Sequence, residues 1–175
     1  MLRMKTLFIV TLSFLAFFTA SASQIKERKV DKTAERYLEI AHFSHNGAKK
    51  SQNFTLFIAK NEAESAIYWL EILHEVTYKD RKKLTPDEQH KATPQLKHIA
   101  LGSLLIQLKD HTPIINSKVK KNSVTTTIRI MLTSEQVTKL KESKEWQGEI
   151  FTVDFDNYML TMQPQSIVQT NLHNL

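Results

Sequence analysis

The strictest pattern along the chain lies between Ser123 and Leu132, where Val124, Thr126, Ile128, Ile130 and Leu132 alternate with Thr125, Thr127, Arg129 and Met131. A repeat of two among β-branched residues predicts a strand with one buried face. Residues 53–59, Asn-Phe-Thr-Leu-Phe-Ile-Ala, are aromatic and aliphatic and too few for a helix, which predicts a second strand. Residues 149–155 and 158–162 flank Asp156-Asn157 and predict a hairpin that Pro164 ends.

Elsewhere the apolar spacing is three and four. Ala34, Tyr37, Leu38 and Ala41 predict a helix from Asp31 that stops near Asn46-Gly47. Over 62–78, Ala63, Ala66, Ile67, Leu70 and Leu73 form a stripe that Trp69, Ile72 and Val76 widen, which predicts a long helix with neighbours on two sides. Leu96, Ile99, Leu101, Leu104, Leu105 and Leu108 predict a second long helix over 95–109, with a pair of short strands as the alternative because Gly102-Ser103 falls in its middle. Thr85-Pro86-Asp87-Glu88 has the form of a capping box. Thr133 with Gln136 repeats it before a short helix through Ser143.

The expected fold is therefore α+β. A small antiparallel sheet, with strands near 53–59, 123–132, 149–155 and 158–162, packs against two long apolar helices near 62–78 and 95–109. Residues 23–164 contain no linker rich in Pro, Gly or Ser and read as a single domain, and residues 165–175 read as a loose tail.

The first segment changes the setting. Arg3 and Lys5, an apolar run from Leu7 to Phe18 and then Thr19-Ala20-Ser21-Ala22 have the form of a cleaved signal peptide over 1–22. The run is shorter than a membrane span, which needs about 20 residues. The expected location is periplasmic or secreted, with no transmembrane span once the leader is cut. Removing Arg3 and Lys5 lowers the formal charge of +6 by two. An exported chain without cysteine relies on its core instead of disulfides.

Composition removes several chemistries. Gly47, Gly102 and Gly148 are the only glycines, so neither a phosphate-cradling glycine loop nor a G-x-S-x-G elbow can be written. With no cysteine there is no thiol nucleophile and no thiolate metal site.

Two constellations remain. Glu39-x-x-His42 is echoed by Glu71-x-x-His74, and on two helices each pair would lie on one face, as in di-iron carboxylate bundles. Glu39, His42, Glu71 and His74 are therefore the candidate ligands for a divalent metal, although no third or fourth long helix supplies the remaining carboxylates. His74-Glu75 opens like a zinc-protease helix, but position 78 is Tyr in place of the second His. The other constellation is cationic. No acidic residue lies between Asp110 and Glu135, while Lys118, Lys120, Lys121 and Arg129 all do. These four are the candidate binding residues, with the Thr face of the same strand beside them.

The expected function is a non-catalytic, exported binding or protein-interaction module, possessing no required cofactor, such as an envelope-complex subunit or an inhibitor. Its partner would be an envelope or extracellular protein or an anionic envelope polymer. Nucleic acid is not expected, because the patch has no interleaved aromatics. The alternative is a metal-binding protein or metal-dependent enzyme built on the two Glu-x-x-His segments.

Overall fold

A computed structural model describes residues 24–30, 33–62, 67–154 and 156–175. The signal-peptide expectation for 1–22 thus lies outside the described residues, as do four positions, 63–66, of the expected helix over 62–78. The described chain runs β1 (Lys26–Val30), β2 (Thr33–Asn46), β3 (Lys50–Asn61), β4 (Ile67–Tyr78), α1 (Pro86–Lys91), β5 (Leu96–Leu101) and β6 (Leu104–Gln107). It continues through a helical turn at Leu108–Asp110 to β7 (Ile114–Lys120), β8 (Ser123–Leu132), α2 (Ser134–Glu142), β9 (Gly148–Thr152), β10 (Asn157–Met162) and α3 (Gln165–Asn174).

All pairing is antiparallel. The order β6-β5-β9-β10-β2-β3-β4-β8-β7 forms one sheet curled into a half-barrel, and β1 adds to β2 beside the stretch that β10 occupies. This corrects the expected architecture of a small sheet under two long helices. Neither helix exists: β4 occupies most of 62–78, and 95–109 is the β5–β6 hairpin that the Gly102-Ser103 pair pointed to. Gly102 turns that hairpin at φ +57°, and a Cβ there would collide with the Ser143 hydroxyl and the Glu145 carbonyl.

For 62–78 the physical reason is double-sided burial. Along β4, Leu70, Ile72, His74 and Val76 face the core, yet Glu71 is buried and Trp69 and Leu73 half-buried on the reverse face. A strand covered on both sides loses its alternation and imitates a helix's stripe. In β2 the cause is a bulge. Glu39 pairs with Phe57 and Ala41 with Leu56, leaving Ile40 as the extra residue, so Leu38, Ile40 and Ala41 are all fully buried. That three-residue step reads as helical.

The core is a single large cluster enclosed by the curl. Leu38, Phe54, Leu56, Ile72, Ile128 and Ile130 meet Ile99, Ile106 and Ile150 from the other end of the sheet. α2 and α3 close it with Val137, Leu140, Val168 and Leu172. Residues 165–174, expected as a loose tail, are therefore a packed helix, and Gln165 and Gln169 both donate to the Ser143 carbonyl, at 2.7 and 2.9 Å. Both capping boxes form as the sequence indicates, Thr85 with Glu88 and Thr133 with Gln136. A second small cluster, Val76, Leu84, Ala92 and Val124, sits under α1.

Candidate functional site

The reverse face of the sheet carries a quartet of charges. Arg28 of β1 lies opposite Glu35 of β2, and Glu71 of β4 lies opposite Arg129 of β8. The curl brings these two in-register pairs together. Arg28 donates from Nη1 and Nη2 to the two oxygens of Glu71 at 2.7 and 2.5 Å, and from Nε and Nη2 to Glu35 Oε2 at 3.1 and 2.9 Å. Arg129 donates from Nη2 to Glu35 Oε1, and its Nε lies 3.3 Å from Glu71 Oε2.

Each guanidinium also rests on an aromatic ring, Arg28 on Tyr37 and Arg129 on Trp69, at 4.9 and 4.8 Å from the centroids. Glu35 and Glu71 are 2 and 5% exposed. Hydrogen bonding to Glu71 raises the Arg28 pKa above its ordinary value against the opposing effect of burial. With two cations and two anions sharing their bonds, the quartet is neutral and each carboxylate is held by both arginines. That arrangement fastens β1 to the sheet.

A polar line crosses the core face at the other end of β3. Asp156 accepts from the Tyr158 hydroxyl at 3.3 Å, Gln52 donates to that hydroxyl at 3.3 Å, and the Gln52 amide nitrogen lies 3.0 Å from His74 Nε2. His74 is 2% exposed and stacks on Phe54 with centroids 4.3 Å apart. Its Nδ1 has no hydrogen-bond partner among the described residues. Burial, with a smaller push from the Lys50 charge, lowers its pKa to about 4. The imidazole is neutral near pH 7 and sealed from solvent.

The third arrangement is a basic end. Three connections far apart in sequence are tied by main-chain bonds: Lys79 N–H to the Lys49 carbonyl at 2.9 Å, Tyr78 N–H to Asn122 at 2.9 Å and Leu84 N–H to Lys121 at 3.0 Å. Lys121 holds φ +46° in the two-residue β7–β8 turn, a conformation suited to this hairpin type, and Asn122 Nδ2 donates to the Tyr78 carbonyl at 2.8 Å. These ties set Arg81, Lys82, Lys83 and Lys121 around a cleft of about 660 Å³ whose apolar side is Leu84 and Val119. Arg81 is held by Glu88 at 3.1 Å. Lys82, Lys83, Lys118, Lys120 and Lys121 have no ion-pair partner among the described residues.

The candidate ligands separate. On a strand an i, i+3 pair falls on opposite faces, so Glu71 lies in the quartet and His74 in the core. Glu39 and His42 do share a face, because the bulge at Ile40 restores the parity, with His42 Nδ1 3.9 Å from Glu39 Oε1. They line a shallow cleft of about 380 Å³ with Glu75. The helical premise that joined the four residues is therefore corrected. Among the described residues, no group of three or more His, Cys, Asp and Glu comes together to hold an ion.

Of the candidate binding residues, Lys118, Lys120 and Lys121 lie together on the β7–β8 hairpin, whereas Arg129 is taken up by Glu35 and Glu71. Sequence reasoning missed Arg28 and Glu35. The available signal was Glu71 inside an apolar run and Arg129 inside a strand of Thr and aliphatic residues, since a charge in such a place needs a partner. Residues 79–84, which the sequence does not link to the β7–β8 hairpin, join it through the Leu84 N–H bond to Lys121.

Comparison with known proteins finds no matching family model, no matching curated protein and no matching solved structure. Among the described residues, no helix is long and apolar enough to cross a membrane.

Proposed function

We propose that the chain is an exported, non-catalytic binding module that engages an anionic partner of the envelope or extracellular space through the basic end of its sheet. The observation that carries this reading is the convergence of Lys82, Lys83 and Lys121, without ion-pair partners among the described residues, around one cleft with an apolar side. A surface of one sign beside a low-dielectric wall concentrates oppositely charged partners and steers their approach. The sealed, neutral His74 and the quartet, whose charges are paired with one another, favour binding over catalysis as the work of this molecule.

The test uses two probes, polyglutamate and phosphatidylglycerol vesicles, titrated against the whole chain and against the triple variant Lys82→Glu, Lys83→Glu, Lys121→Glu. The expected result is binding to at least one probe that weakens with salt and falls by about tenfold or more in the variant. Binding to neither probe, or binding indifferent to the charge reversal, overturns the reading.

A further inference from the structure

β7 ends the sheet order, and among the described residues nothing pairs with its outer edge. All seven of its residues are exposed, and it pairs with β8 without a break from Ile114↔Arg129 to Lys120↔Ser123. An unpaired row of N–H and C=O groups on such a strand is a template for another strand. The other ends of the sheet are protected. β6 has four residues, buries Leu104 and Ile106 and turns at once into Leu108–Asp110. β1 has five residues, four of them charged.

We propose that β7 accepts an extended, acidic polypeptide segment of a partner protein as an additional strand. This inference rests on the cationic reading above and names the partner's class. Successive side chains of an added strand point to opposite faces of the sheet. β7 has a cleft of about 660 Å³ on each face. One lies beside Val119 with Lys121 and Lys82, and the other beside Ile114 and Asn116, where Lys118 is unpaired among the described residues and Arg28 is already bound to Glu71 in the quartet. Both parities of an incoming strand therefore meet a cleft holding a lysine.

Apolar contact is available on both sides as well, since Ile114, Ile115 and Val119 are 49, 52 and 45% exposed. The charges select the occupant. No acidic residue lies between Asp110 and Glu135, so a second copy docked through β7 would set Lys118, Lys120 and Lys121 of both chains along one joint, which like charges oppose. An acidic strand neutralises the same lysines. A lipid surface or sugar polymer offers neither main-chain donors for the open edge nor side chains of alternating direction.

The experiment measures fluorescence anisotropy of a labelled peptide of alternating glutamate and valine against the whole chain. Two counterparts are N-methylated on alternate amides, one along each edge of the extended peptide, and phosphatidylglycerol vesicles form the other arm. The expected result is salt-sensitive peptide binding that one methylated counterpart keeps and the other loses by about tenfold or more, because only the edge facing β7 gives up hydrogen bonds.

Amide hydrogen exchange on β7 should slow in the same complex. Equal binding by both methylated peptides, or vesicle binding without peptide binding, overturns strand addition and leaves the cationic reading standing. Failure of both peptide and vesicles to bind removes the two together.

Discussion

The two faces of β4 and β8 are buried by opposite means. On one, Leu70, Ile72, Ile128 and Ile130 join an apolar cluster reaching across the whole curl to Ile99 and Ile150. On the other, one step along the same strands, Glu71 is buried with Glu35, and the half-buried Arg129 and Arg28, each on an aromatic ring, pair with them. The apolar face tolerates any well-packed arrangement of similar volume, because dispersion and exclusion of water have no direction. The charged face tolerates one, because each bond in it has a fixed partner and angle. The first face supplies stability, and the second determines where β1 lies.

That contrast can be broken from either side. The largest effect is expected from Arg129→Met, which leaves two buried carboxylates to one arginine and should cost about 3–5 kcal/mol in urea unfolding. The companion variant Arg129→Met with Glu71→Leu should recover most of that loss by removing the stranded charge. If it does not, the quartet contributes stability beyond its own pairing and the comparison fails. On the apolar face, Ile72→Ala, at a fully buried site, should cost about 2–5 kcal/mol while leaving amide-exchange protection of β1 relative to β2 unchanged.

Among the described residues, His74 is the titratable group on the apolar face whose pKa is pushed far down, to about 4 from an ordinary 6.5. The unfolded chain therefore takes up a proton at a pH where the folded chain does not. Its contribution to stability is fully present above about pH 6.5, declines as the pH falls, and is lost near pH 4, a change of about 3 kcal/mol. His74→Gln should flatten the corresponding slope of unfolding free energy between pH 7 and pH 4.5, and an unchanged slope would sink the assignment. The smallest effect belongs to neither face. Thr133→Ala, which removes the α2 cap, should cost about 1 kcal/mol and shift the thermal midpoint by a few degrees.

The readable parts of the fold are those governed by local chemistry. β8 and the capping of α1 and α2 follow from side-chain alternation and from Thr hydroxyls positioned three residues before a Glu or Gln. β4 and β2 escaped because their signal depends on what covers them. Trp69 and Leu73 are half-buried on the reverse face of β4, and the bulge at Ile40 inserts an extra inward residue into β2. The same limit applies to the sites. Lys118, Lys120 and Lys121 were legible as a run, whereas their meeting with Lys82 and Lys83, and the meeting of Arg28 with Glu71, depend on contacts across 35 or more positions of sequence.

The placement of β10 also sets a timetable. Met162 pairs with Ala41 and Thr161 with His42, so a strand from near the end of the chain docks beside one from near its beginning. During synthesis β2, β3 and β4 can zip together as consecutive hairpins, but the far edge of β2 waits for residues 157–162, and β9 and β5 are joined to β2 only through β10. Closing so distant a contact is slow compared with forming hairpins. The nascent molecule therefore passes through a stage with an open central edge, and completion of the core is deferred until residues 157–162 have emerged.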